Sequence, residues 1–322
     1  MDAMNVLNVE VGDTLTQERL DRAVSVVGDV SRSVAGRMID QGLVSVNARV
    51  LRDKSHRLDH GDHLRIDLAP TAQQDRRRIP LPLLYFDEAM FVVDKPAGLI
   101  VHATTLNDAT PTLASAVVAL DPAVTGVGDE PSLRPGIYQR LDKSTSGVMG
   151  VARTDSAFRV LKEQVAAHAM RRTYRALVEG ELAEEEGVID APLGRDQRSR
   201  TRIAVIAEGR RAVTRFRVIE RLQGYTYVEL TLETGRTHQI RVHMSAIGHP
   251  LVGDQTYGGG IRLLRDRVFL HSSVLALTHP SNGLPLEIQS ALPPELVKVL
   301  ATVRLPREQP ESRPDLSREM IS

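Results

Sequence analysis

The sequence predicts an α+β chain, with a small N-terminal module followed by a larger domain built on a mixed, mainly antiparallel sheet flanked by helices. Three observations carry this. Residues 14–68 read as two short helices followed by strands. Beyond residue 81, strand and helix patterns interleave without the strict alternation of a doubly wound parallel sheet. Two neighbouring segments, Ala212, Thr214, Phe216 and Val218, then Val228, Leu230 and Leu232, place apolar or small residues at every second position, the period of half-buried antiparallel strands.

Within the module, Leu20, Val24 and Val27 share one helical face, and Ser31 can cap a second helix whose Val34 and Met38 lie one turn apart, ending at Gly42. Val44 and Val46 alternate into a turn at Asn47-Ala48. After a polar turn at Gly61-Asp62, Leu64, Ile66 and Leu68 alternate with His63, Arg65 and Asp67. Residues 1–70 are assigned to this module. Residues 71–80, with Gln73, Gln74, Asp75 and the run Arg76-Arg77-Arg78, have no periodicity and read as a linker. The larger domain is placed at 81–305. There Phe91-Val92-Val93 is a buried strand stopped by Lys95-Pro96, and Thr110-Pro111 opens a helix with Leu113, Val117 and Leu120 on one face. A strand from Val148 to Ala152, a helix from Asp155 to Ala167 and a strand from Thr173 to Val178 follow. The segment 306–322, rich in Pro, Glu, Ser and Arg, reads as a disordered tail.

Composition narrows the function. Hydrophobic residues at 42% and charged residues at 25% are ordinary for a globular chain. No apolar run approaches the ~20 residues needed to span a bilayer, so no membrane role is expected. Residues Met1 to Val11 lack a basic start followed by an apolar core, so no secretory signal is expected. With no cysteine, the chain has no disulfide, thiolate metal site or Cys nucleophile, and a cytoplasmic setting is expected. A formal net charge of zero argues against coating nucleic acid through bulk charge, so any polyanion must meet a local patch. The stretch Arg195 to Arg217 offers one, with eight arginines against Asp196 and Glu208. Aromatic residues at 3% supply few stacking platforms, which suits one extruded base better than many.

Two polar stretches carry the chemistry. Gly136-Ile-Tyr-Gln-Arg-Leu-Asp-Lys-Ser-Thr-Ser-Gly147 lies between a loop and a strand, and sets Asp142 among Arg140, Lys143 and three hydroxyl residues. In Glu233-Thr-Gly-Arg-Thr-His-Gln-Ile-Arg-Val-His-Met244, Thr237 can cap a helix whose apolar face is Ile240, Met244 and Ile247. The opposite face carries His238, Arg241 and Ser245, which aims Arg241 away from the core. From spacing alone an ion-paired turn plus an amphipathic helix is as good a reading as a functional site.

A resemblance separates the two. Arg140-Leu-Asp-x-x-Thr-Ser-Gly147, Thr234-Gly-Arg-Thr-His-Gln-Ile-Arg-Val-His243 and Gly248-His-Pro-Leu-Val-Gly-Asp254 resemble the RluA family of pseudouridine synthases. Lys95-Pro-Ala-Gly-Leu-Ile-Val-His102, Arg172-Thr-Tyr-Arg-Ala-Leu-Val-Glu-Gly180, Leu270-His271 and His279-Pro280 add matches in the family's order. The likeness runs from about Leu83 to Leu292. Ser31-Arg-Ser-Val and Gly42-Leu-Val-Ser-Val-Asn47 resemble the S4 RNA-binding module, which points to the RluD-like branch acting on large-subunit ribosomal RNA.

The resemblance implies a pseudouridine synthase fold, and an enzyme that isomerises uridine to pseudouridine with neither cofactor nor metal. It implies Asp142 as the essential carboxylate, Tyr174 against the target base and Arg241 paired with the aspartate. The substrate is implied to meet Gln139, Arg140, Thr145, Ser146, Arg236, His238 and Leu270. The wider RNA is expected at Arg32, Arg37 and Arg49 of the module and at Arg195, Arg198, Arg200 and Arg202. A monomer is expected. Members of the family commonly carry His directly before Arg-Leu-Asp, whereas this chain has Gln139, which hydrogen-bonds but cannot titrate. Addition of Asp142 to ribose C1′, addition to uracil C6, and stabilisation of an oxocarbenium-like ribose all stay open. Transfer RNA is the alternative substrate, and a non-catalytic RNA-binding assembly factor the alternative function.

Overall fold

A computed structural model describes residues 6–28, 30, 32–67, 79–102, 110–196, 199 and 202–304. The expected cap at Ser31, nearly all of the expected linker and the whole expected tail lie outside these residues. The chain divides into two compact units, one made by the described parts of Met1–Pro80 and Ala103–Ala119, the other by those of Leu81–His102 and Leu120–Ser322.

The first unit starts with a strand that the pattern of apolar residues does not reveal, β1 (Val6–Glu10). It continues through α1 (Leu20–Val27), α2 (Arg32–Asp40), β2 (Val44–Val46), β3 (Arg49–Val50) and β4 (His63–Asp67). The four strands pair antiparallel in the order β1-β4-β2-β3. Asn47 and Ala48 both take left-handed conformations, φ 50° and 64°, the geometry of a two-residue hairpin turn. Leu20 and Val24 of α1 and Ala35 and Ile39 of α2 bury against Val44, Leu64 and Ile66 of the sheet. Thus the expected face of α1 and the alternating strands converge on one small core, whereas α2 buries Ala35 and Ile39 and sets Met38 of its expected face at the core's edge, with the Val34 side chain outside the described residues. This unit also includes most of α3 (Leu113–Leu120), opened by a reciprocal pair in which the Ser115 amide donates to Thr112 Oγ1 at 3.0 Å and the Thr112 amide donates to Ser115 Oγ at 3.1 Å.

The second unit is organised on one large sheet. Its strands are β5 (Leu83–Phe86), β6 (Met90–Lys95), β7 (Ser146–Ala152), β8 (Arg171–Glu179), β9 (Glu186–Asp190), β12 (Val213–Leu222), β13 (Tyr225–Leu232), β14 (Leu270–Thr278) and β15 (Pro285–Gln289). A separate hairpin joins β10 (Leu193–Arg195) to β11 (Ile203–Val205). The order is β5-β6-β7-β14-β8-β13-β12-β9, with β15 on β14; β7 and β14 run parallel and every other pair antiparallel. The sheet is therefore mixed and mainly antiparallel, as the paired alternating segments predict. Helix α4 (Asp155–Ala166) is capped by Thr154, whose Oγ1 accepts the Ala157 amide, and it packs Ala157, Phe158 and Leu161 against Met90, Val92 and Val148. Helix α6 (Pro294–Arg304) buries Leu296, Val299 and Leu300 against Leu177, Tyr227 and Phe269. Among the described residues, no helix is long and apolar enough to cross a membrane.

Candidate active site

A cavity of about 410 Å³ opens in the second unit, with Val165, Ala166 and His168 at the end of α4 and Leu232 of β13 forming part of its wall and four further places in the chain supplying the rest. The loop before β7 supplies Tyr138, Gln139, Arg140, Asp142 and Thr145. Strand β8 supplies Arg172 and Tyr174, two residues apart and so on one face of the sheet. The segment entering α5 (Gln239–Ala246) supplies Arg236, His238 and Arg241, and β14 supplies Leu270. Asp142, Tyr174 and Arg241, far apart in sequence, thus share one cleft.

The loop bearing Asp142 is held by its backbone. The Thr145 amide donates to the Asp142 carbonyl at 3.1 Å and the Gly98 amide to the Lys143 carbonyl at 2.7 Å. Lys95, completely buried at the end of β6, donates its Nζ to the carbonyls of Leu99 (2.8 Å), Pro96 (2.9 Å) and Lys143 (3.4 Å). It therefore ties the stretch after β6 to the Asp142 loop. Below the loop, β7 approaches β14 so closely that a Cβ on Gly147, at φ +116°, would lie 2.1 Å from the Ser272 carbonyl oxygen, and only glycine fits.

Burial, with Arg267 beside it, pushes the Lys95 ammonium down to about 7, against the opposing pull of Asp142. Between that value and 10.5, the ordinary lysine value, the unfolded chain holds the proton that the folded chain has released. Folding stability contributed by this group therefore rises with pH across that window and is lost as pH falls through about 7. Denaturant titrations from pH ~7 to ~10 should show this rise in wild type and a flatter profile in Lys95→Met. Equal slopes in the two proteins would refute it.

Arg241 stands where the resemblance implies, with different bonding. It is buried, 8% exposed, and its Nε and Nη2 donate to the two oxygens of Asp254 at 2.7 and 2.8 Å. Its Nη1 lies 3.6 Å from Asp142 Oδ2, a looser contact. The expectation that Arg241 points away from the core is corrected. Residues Gln239 to Met244 are all buried, because this short helix is enclosed on its polar side by the 251–257 segment and not by solvent. Thr237 does not cap the helix either. His238 occupies that position in a left-handed conformation, φ 56°, with no side-chain cap. Gln239 organises the turn instead: its Oε1 accepts from Thr234 Oγ1 (2.8 Å) and the Arg236 amide (3.0 Å), and its Nε2 donates to the Val213 carbonyl (2.9 Å).

His238 is oriented by Tyr257. The Tyr257 hydroxyl accepts the Ile203 amide at 3.1 Å and shares a hydrogen bond of 2.9 Å with His238 Nδ1. Burial lowers the imidazole's pKa, with Arg241 acting in the same direction and Asp142 opposing, which keeps the ring neutral at pH 7. Two guanidinium groups lie over the Tyr257 ring, Arg241 at 5.0 Å and Arg202 at 5.3 Å from its centroid. Tyr174 is buried beside Ser272, and burial raises its hydroxyl pKa, so the phenol stays protonated near neutrality.

Other expected contacts divide. Gln139, Arg140, Thr145, Arg236, His238 and Leu270 line the cavity. Ser146 does not: its Oγ accepts from Arg267 Nη2 at 2.7 Å and donates to His271 Nδ1 at 2.9 Å, beneath the loop. The reason is strand alternation, which turns Ser146 to the opposite side from Thr145. In the module, Arg32 pairs with Asp21, which Arg19 also holds, while Arg49 is exposed. Arg195 is exposed, Arg202 stacks on Tyr257, and Arg198, Arg200 and the Arg37 side chain lie outside the described residues. The basic stretch is partly neutralised across strands, Arg215 by Glu233 at 2.6 Å and Arg217 by Glu229 at 2.9 Å. Arg172, Tyr257, Lys95 and Asp254 are site residues to which sequence reasoning assigned no role. For Arg172 the signal was present, a charged residue on the same strand face as Tyr174.

Comparison with known proteins identifies the family. A family model described as RNA pseudouridylate synthase matches residues 89–246, and an S4 domain model matches residues 18–64. A protein of Pseudomonas aeruginosa named ribosomal large subunit pseudouridine synthase D is 39% identical over 93% of this chain and 96% of its own. The chain belongs to the RNA pseudouridylate synthase family. An uncharacterized RNA pseudouridine synthase of Bacillus subtilis is 35% identical over 94% of this chain and 99% of its own. Among solved structures, human RNA pseudouridylate synthase domain containing 1 superposes with a TM-score of 0.56 at 26% identity, covering 69% of this chain and 88% of that one. As a pseudouridine synthase with an S4 domain, the chain acts on RNA, and the family resemblance read from the motifs is borne out.

Proposed function

We propose that this pseudouridine synthase modifies specific uridines of large-subunit ribosomal RNA, with Asp142 as its reacting carboxylate. The observation that carries the reading is the meeting of Asp142, Tyr174 and Arg241 in one cavity. The reaction breaks N1–C1′, turns the uracil and joins C5 to C1′; the C5 proton leaves and N1 gains one. Bond order is conserved within one nucleotide, so the reaction calls for no hydride carrier or redox metal. Asp142 supplies the carboxylate shared by addition at C1′, addition at C6 and stabilisation of an oxocarbenium-like ribose. Arg241, itself fixed by Asp254, holds that carboxylate in place, and Tyr174 lies against the base.

A stacked uridine hides its glycosidic bond, so the nucleotide must be flipped into the cavity at a cost of a few kcal/mol. Arg140 and Arg236 at the rim, with Arg195 to Arg202 and Arg32, Arg37 and Arg49 of the module, offset that cost through phosphate contacts. Residues 1–70 serve as the RNA-docking module and 81–305 as the catalytic domain. On this reading the protein works as a monomer in the cytoplasm. The relatives named for the ribosomal large subunit favour ribosomal over transfer RNA.

Pseudouridine mapping across ribosomal and transfer RNA of cells lacking the protein tests the assignment. Loss of one or more pseudouridines from large-subunit RNA, restored by wild type, is expected. Loss confined to transfer RNA would overturn it.

A further inference from the structure

Buried polar side chains in native proteins almost always find partners. Among the described residues, six buried side-chain polar atoms have none, and four belong to residues that line this one cavity: Tyr138 Oη, Gln139 Nε2, Thr145 Oγ1 and Arg172 Nε. Such clustering marks a surface shaped for a polar ligand. The fourth member is the telling one. Arg172 is 7% exposed, yet no ion pair among the described residues involves it. The other buried guanidinium of the cavity, Arg241, is neutralised bidentately by Asp254. An uncompensated buried charge is costly, and its place on the cavity wall suits a ligand that supplies the missing partner.

Glycine leaves this guanidinium its room: a Cβ on Gly235 would lie 2.5 Å from Arg172 Nη1, so a side chain there would push the guanidinium tip aside. Arg172 also sits within electrostatic reach of the Tyr138 and Tyr174 hydroxyls. Two residues from Tyr174 on the same strand face, it is placed beside the base, while the exposed Arg140 at the rim is placed for the backbone.

We infer that Arg172 donates to a carbonyl oxygen of the flipped uracil and stabilises the negative charge that the ring acquires during the reaction. The inference rests on the assignment of the cavity to a flipped uridine. When N1–C1′ breaks heterolytically, the bonding pair stays on N1 and spreads to O2 and O4. When a carboxylate adds at C6, the displaced pair reaches O4 as an enolate. On both routes a carbonyl oxygen becomes more negative in the transition state than in the bound uridine. A fixed guanidinium therefore binds the transition state more tightly than the substrate. The charge disperses when C5 bonds to C1′, the C5 proton leaves and N1 is reprotonated, so Arg172 neither gains nor loses a proton.

Single-turnover rates and RNA dissociation constants of wild type, Arg172→Gln, Arg172→Lys and Gly235→Ala test this. They are measured on whichever RNA the mapping identifies, so a transfer-RNA result would overturn the ribosomal assignment and still test Arg172. Arg172→Gln should slow the reaction by roughly 10²–10³-fold, the effect of losing one preorganised donor at developing charge. RNA affinity and its salt dependence should change by less than about threefold, and the melting temperature should not fall, since an uncompensated buried charge has been removed. Gly235→Ala, which displaces the guanidinium but leaves its charge, should reproduce the rate loss. Replacing the target by 2-thiouridine or 4-thiouridine should slow wild type at the contacted position and add little further loss in Arg172→Gln.

Weakened RNA binding with a reduced salt slope and an intact rate would make Arg172 a phosphate contact and overturn the inference. So would a lower melting temperature with activity recovered on cooling, or additive losses with both thio-substituted RNAs.

Discussion

Asp142→Asn should fold, bind RNA and form no measurable pseudouridine. The rate is expected to drop by ~10⁴-fold or more, the order seen when the reacting side chain of an enzyme is removed. The fold should survive because the loop is held by backbone contacts, from Gly98 and Lys95 to the Lys143 carbonyl and from Thr145 to the Asp142 carbonyl. None of them uses the Asp142 side chain. Arg241 keeps its bidentate partner Asp254 when Asp142 is neutralised, so no cation is left bare. Unfolding free energy should therefore stay within about 1 kcal/mol of wild type. The two readouts, pseudouridine content and RNA affinity, separate an enzyme from a binding factor. Residual product at more than about one hundredth of the wild-type rate would remove Asp142 from the chemistry.

The parts of this molecule that the sequence announces are those fixed by local periodicity. The alternation at 212–218 and 228–232 became β12 and β13, and the helix expected from Asp155 to Ala167 became α4. The turn at Asn47-Ala48 and the stop at Lys95-Pro96 are also local and also appear. What stayed hidden depends on register and on contacts across the fold. Strand β1 exists because it pairs with β4, from 53 residues away at Glu10–His63 to 61 at Val6–Asp67, a partnership no local window contains. The arginine stretch looked free because the carboxylates that neutralise it, Glu229 and Glu233, arrive from the neighbouring strand. Ser146 and Thr145 are equivalent as hydroxyls in sequence, and only the start of β7 decides that one faces the cavity and the other faces Arg267. The trio of Asp142, Tyr174 and Arg241 was legible through motif resemblance, not through spacing. Helical periodicity assigned Arg241 to an exposed face, and the enclosing segment that carries Asp254 cannot be read from that period.

The Arg241–Asp254 pair yields the second large effect. Asp254 is buried, with its side chain wholly inaccessible, and Arg241 is its partner at 2.7 and 2.8 Å. Asp254→Ala would leave a buried guanidinium with Asp142 alone, 3.6 Å away. Stability should fall by roughly 3–5 kcal/mol, the usual cost of removing one member of a buried ion pair. In a domain of this size the midpoint should then drop by on the order of 10 °C. Activity should fall as well, because the group that restrains Asp142 is no longer restrained itself. These losses have different origins, and the double variant Arg241→Met with Asp254→Leu divides them. Apolar residues of similar volume remove both charges at once, so much of the lost stability should return. Pseudouridine formation should not return, since Asp142 has lost the guanidinium beside it and Tyr257 has lost one of its two cationic neighbours. Calorimetry and a single-turnover assay on the same preparations check the two halves. A double variant that is both stable and active would show that the pair serves packing alone, and that Asp142 needs no cation to be held in place.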